Sequence, residues 1–152
     1  MSIAIILHVL SAVIWVGGMF FAYMALRPVA ASLLEPPVRL PVWCAVFGKF
    51  FPWVWLSVVT LLGSGYWMAD QLYQTNDYPL YIQLMQGLGI LMVLLFMHVF
   101  FAPYRRMKQF IDAGDLPAAG AKLAQIRMII GINLILGLVV IAVASGGRYG
   151  LF

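Results

Sequence analysis

Four uncharged apolar runs dominate the chain and leave few folds open to it. Ile3 to Leu26 covers 24 residues without a charged side chain, Phe50 to Ala69 covers 20, Tyr78 to Tyr104 covers 27, and Met128 to Gly147 covers 20. Each is long enough to cross a bilayer as a helix. The helix is required because hydrocarbon offers nothing to an unpaired backbone N–H or C=O. Composition agrees: 64% of the 152 residues are hydrophobic, 9% are charged, and the mean hydropathy is +1.00. A soluble domain of this length has too few polar residues here to cover its surface. The sequence therefore predicts an all-α membrane protein, a single four-helix transmembrane bundle over 1–152, with spans at about 3–26, 50–69, 79–103 and 127–147.

The charges report orientation. Arg27, Arg39 and Lys49 lie in the first connection, and Arg105, Arg106, Lys108, Lys122 and Arg127 in the third; only Arg148 stands at the other end. Lys and Arg mark the cytoplasmic side, so both termini are expected outside, in the periplasm of a bacterial inner membrane. The net charge of +4 thus flanks apolar spans and gives no reason to expect a nucleic acid partner. The first run is too long for a signal h-region and has no basic n-region, so it is read as a retained span. Cys44 is the single cysteine and has no internal disulfide partner.

The connections carry further detail. "RPVAASLLEPPVRLPVW" holds four prolines and is expected to be mostly irregular, with a short helix from near Val42. Tyr104, Met107 and Ile111 recur at helical spacing between basic residues, which extends the third helix as an amphipathic segment on the cytoplasmic side. "DAGDLP" ends that helix at Gly114 and starts the next at Asp115 and Pro117, so the fourth helix also begins outside the membrane. Within lipid, small and polar residues mediate helix association. Trp15, Gly18, Gly87, Asn133 and Gly137 are accordingly expected at helix contacts, while Trp53, Trp55 and Trp67 are expected as anchors near span ends.

His8 and His98 are the only histidines, and an ionisable side chain within a span is a candidate site. They belong to helices running in the same direction, His8 near the outer end and His98 near the inner end. At 1.5 Å per residue their levels differ by about 20 Å, too far to share one ion. Two half-sites follow. The outer one joins His8 with Met68 and Met85, a donor set suited to Cu(I) or to a haem axial pair. The inner one has His98 with Met24, Met97, Met107 and Met128 at similar depth. The stripe Gln83, Gly87, Leu91, Leu94, His98 is expected to turn His98 toward the bundle. Arg105 and Arg106 are expected to contact the membrane surface or haem propionates.

"LHVLSAVIWVGGMFFAYMALRP", residues 7–28, resembles the first helix of the CopD family of bacterial inner-membrane proteins, associated with copper resistance and uptake. "LLFMHVFFAPYRRM" and "AGDLPAAGAKLAQIRMIIGINLILGLVVIAVASGGRY" resemble its short single-domain branch. The resemblance implies copper binding or movement across the membrane. The "LH…W" opening is also similar to four-helix protoporphyrinogen oxidases, which bind haem b; the matching axial ligand would be His8. Those enzymes carry a functional lysine near the start of the third helix, where this chain has "YIQLMQGLG". That departure favours haem binding without catalysis over a haem-dependent oxidoreductase. A third reading is an accessory subunit of a membrane complex, and a homodimer is a further possible partner arrangement.

Overall fold

The computed structural model describes residues 1–73 and 77–150. Helix α1 (Ser2–Phe21) passes through a π-helical turn (Ala22–Leu26) into α2 (Arg27–Leu33). After a break at residues 34 and 35, α3 (Pro36–Leu72) returns. Then come α4 (Leu80–Phe101), the short α5 (Pro103–Asp112), and α6 (Leu116–Arg148). No strand occurs among the described residues. Four helical rods, Ser2–Leu33, Pro36–Leu72, Leu80–Asp112 and Leu116–Arg148, are long and apolar enough to span a membrane. The chain is a multi-pass helical membrane protein, and its outer faces are apolar, with Ile3, Phe21, Val59, Leu80 and Ile135 all exposed. Lipid is the solvent those faces fit.

The proline-rich connection is helical rather than irregular. Pro36 and Pro37 occupy the first turn of α3, where the missing N–H groups would have had no intrahelical partner. Pro41 and Pro52 lie within the helix, and each costs a backbone bond. Packing offsets the loss, because Leu40, Trp43, Phe47, Phe51 and Val54 on the same rod are all buried. The π-turn has a similar cause. Pro28 cannot donate to Met24, and its ring would crowd the carbonyl there, so the chain widens by one residue just before it; the Arg27 N–H bonds back to Ala22.

Two aromatic ladders hold the interior. Trp43, Phe47, Phe51 and Trp55 recur every four residues on α3, and Phe96, Phe100 and Tyr104 do so on α4 and α5. Phe51 meets Phe96 edge-on at 5.5 Å and Tyr104 at 4.9 Å between centroids, and Trp55 meets Phe96 at 5.1 Å. Edge-to-face pairs of this kind contribute about 0.5–1.5 kcal/mol each beyond burial. Trp55 is half-buried against this ring cluster, whereas Trp53 and Trp67 are exposed. Backbones approach closely between α1 and α3 and between α4 and α6. Gly18 admits the ring of Phe50, and Gly147 admits Tyr81. Gly137 faces Val16 and Met92, where an added Cβ would lie 2.8 and 3.1 Å from them. Gly87, expected at a contact, is exposed with nothing within 4 Å of where a side chain would begin.

Below α4 the chain breaks at Ala102 and restarts at Pro103. In α5, Tyr104 and Met107 turn inward while Arg105, Arg106, Lys108 and Gln109 are exposed. Gly114 takes a φ of +74°, which a glycine tolerates, and the Asp115 side chain caps α6 by accepting from the Ala118 N–H at 3.2 Å.

Candidate functional site

The inward face of α1 reads His8, Ser11, Trp15, Val16, Met19; the last four are buried and His8 is half-buried. Antiparallel α3 brings Ser64 and Gly65 against the imidazole. Nδ1 of His8 lies 2.9 Å from Oγ of Ser64. Ser64 Oγ also lies 2.5 Å from the carbonyl oxygen of Thr60 and 3.4 Å from that of Leu61. A carbonyl only accepts, so the single hydroxyl proton goes to Thr60. Ser64 must then accept, and His8 Nδ1–H donates. That assignment places the lone pair on Nε2; the Leu61 carbonyl also lies against the imidazole as an acceptor. A histidine whose second nitrogen is fixed by a hydrogen bond is the arrangement found behind metal ligands. Gly65 permits it, because a Cβ there would sit 3.2 Å from His8 Cε1.

Met68 follows Ser64 by four residues and so shares its face of α3, one turn nearer the end that holds the termini. Met85 sits near the start of α4, whose backbone runs closest to α5 and α6. Among the described residues no three His, Cys, Asp or Glu side chains converge. An ion held at His8 would complete its coordination with softer or neutral donors such as the Met68 thioether, backbone carbonyls or ligands brought with it.

The inner half-site does not assemble. His98 is exposed, as are Gln83, Gly87, Leu91 and Leu94, so the stripe expected to face the bundle faces outward. The buried stripe of α4 is Met92, Phe96 and Val99. Met24 and Met128 are also exposed, whereas Met107, on the inward face of α5, is fully buried. Cys44 lies within α3 and is half-buried. His8 and His98 occupy opposite ends of the bundle. Arg105 and Arg106 are exposed, Arg105 with its guanidinium 6.0 Å from the centre of the Phe101 ring.

At mid-bundle, Trp15 packs edge-on to Phe96 at 6.1 Å, and Asn133 Nδ2 donates to the Met92 carbonyl at 3.2 Å. Sequence reasoning did not join Ser64 to His8; the Gly63-Ser64-Gly65 triplet was the signal. It also read Arg27, Arg39 and Arg127 only as markers of sidedness.

A four-rod membrane bundle with one polar pair near the end that holds the termini and basic residues at the other defines the class. The chain belongs to the CopD family: the family described as copper resistance protein D matches residues 44–146. That match takes in Ser64, Met68, Met85, His98 and Asn133, and begins after α1 and its His8. No curated protein and no solved structure matches the chain.

Proposed function

We propose that this protein binds Cu(I) as a cargo ion within the bacterial inner membrane, with Nε2 of His8 as its first ligand. The observation that carries the reading is the Ser64 hydrogen bond, which commits Nδ1 and leaves Nε2 as a lone-pair donor. Met68 supplies a thioether from the same face of α3, and imidazole with thioether is a soft set that suits Cu(I). Met85 would need to reach across from α4. Membership of a family named for copper resistance supports the choice of ion. The excess of Lys and Arg at the α2–α3 and α5–α6 end supports a cytoplasmic position for that end and periplasmic termini, so His8 would meet copper arriving from the periplasm.

The test is Cu(I) competition against a chromophoric chelator, on protein purified in detergent. Wild type should retain copper near one equivalent and His8→Ala should lose it while keeping its helical content. Equal copper in both would sink the reading. An absorption spectrum of the same sample addresses haem b: a Soret band lost in His8→Ala would assign the lone pair to haem iron instead.

A further inference from the structure

A cleft lies at the opposite end from His8. It is an open cleft of about 320 Å³ between the starts of α3 and α6, lined by Pro36, Arg39, Leu40, Pro117, Gly120 and Arg127 among others. Arg39 and Arg127 are both half-buried. Arg27, half-buried at the start of α2 and resting 4.7 Å above the Tyr23 ring, lies close enough for its charge to act on Arg127, as does Arg39. Among the described residues, no carboxylate is in ion-pair contact with any of the three. Glu35 and Asp115 stand nearby in sequence, but Glu35 is exposed and Asp115 caps α6.

Three guanidinium groups gathered without an acid repel one another, and partial burial strengthens the repulsion. The arrangement becomes favourable once an anion sits among them. The starts of two long helices, α3 and α6, border the same cleft and add their positive dipole ends. Their backbone donors are already committed. Pro36, Pro37 and Pro117 have none, Val38 and Arg39 bond to Glu35, and Ala118 bonds to Asp115. The anion must therefore be held by the arginine side chains. Arg39 spends one donor on the Ala31 carbonyl at 3.4 Å, which orients its guanidinium and leaves the rest of the fork free. A planar fork pairs best with carboxylate or phosphate, and the cleft lies at the basic end of the bundle, where it can meet an anionic headgroup or a soluble phosphate.

We infer that the cleft between α3 and α6 is a phosphate-binding site, in which Arg39 and Arg127, with Arg27 beside them, hold the phosphate of an anionic lipid headgroup or of a soluble phosphate. The site is separate from His8 and does not depend on the copper reading.

The test uses the full chain, delipidated in a nonionic detergent, and follows its thermal unfolding. The ligands are sodium phosphate, dioctanoyl phosphatidylglycerol, dioctanoylglycerol, and sodium chloride at matched ionic strength. A midpoint raised by about 3 °C or more by a phosphate-bearing ligand, beyond both controls, is the expected result. Response to phosphate itself identifies the soluble source as sufficient; response to phosphatidylglycerol alone identifies a lipid headgroup. Arg39→Gln with Arg127→Gln should abolish the shift. If that double variant does not fold, Arg127→Lys, which keeps the charge and loses the fork, should weaken binding about tenfold. No shift beyond the controls, or a shift unchanged in these variants, overturns the proposal.

Discussion

Nδ2 of Asn133 donates to the carbonyl oxygen of Met92 at 3.2 Å, fastening α6 to α4 in the middle of the bundle. Oδ1 of the same amide is buried and has no partner. The residue thus gains one bond and leaves one acceptor unpaired. Interhelical bonds in membranes are worth about 0.6 kcal/mol on average, so Asn133→Leu is expected to change stability by less than about 1 kcal/mol. Asn133→Asp sets a carboxylate against a carbonyl in a buried site and should cost about 2–3 kcal/mol or more. Reversible unfolding in mixed detergent measures both. Equal losses in the two variants would contradict a single weak bond.

The glycines divide into two kinds that a substitution pair can separate. Gly137 faces Val16 and Met92 closely, whereas Gly87 faces open space. Gly137→Leu is expected to destabilise by about 1–3 kcal/mol through overpacking. Gly87→Ala should be neutral, or stabilising by up to about 1 kcal/mol from helix propensity. The same unfolding assay checks the pair, and a damaging Gly87→Ala would mean that α4 has a neighbour on that face.

The four rods were legible in the sequence because a charge-free run of twenty residues has only one stable form in lipid. The face of α4 was not. Buried Met92, Phe96 and Val99 and exposed Leu91, Leu94 and Met97 are chemically alike, since lipid and protein interior are both apolar. Hydrophobicity therefore could not say which way His98 turns. The helix through Pro41 was hidden for a different reason. Local backbone cost argues against it, and the compensating contacts of Phe47 and Phe51 come from elements distant in sequence. The pairing of His8 with Ser64 depends on the register of α1 against α3, which no local pattern encodes.

Sidedness has a direct assay. Asp70 and Asp112 are both exposed, Asp70 at the end that holds the termini and Asp112 at the basic end. In a Cys44→Ala background, Asp70→Cys is expected to react with a membrane-impermeant maleimide in intact cells. Asp112→Cys should react only after the inner membrane is opened. The reverse pattern would place the termini in the cytoplasm and overturn the positive-inside assignment.

The hydrogen bond behind His8 makes a graded prediction that a simple ligand deletion does not. Ser64→Ala keeps the imidazole and removes the group that fixes its tautomer, so Cu(I) affinity should fall about 10–100-fold, less than in His8→Ala. Gly65→Val keeps both polar partners. It presses a branched side chain toward His8 Cε1, which already lies 3.2 Å from the Cβ position, and should disturb binding by moving the ring. His98→Ala, at the exposed far end of α4, should leave affinity unchanged. Nitrogen chemical shifts of labelled histidine give an independent reading: a protonated Nδ1 and a bare Nε2 for His8 in wild type, and a mixed tautomer in Ser64→Ala. If His8 instead carries its proton on Nε2, Ser64 is not its acceptor and the ligand-ready state of the ring is wrong, whatever the copper content of the sample.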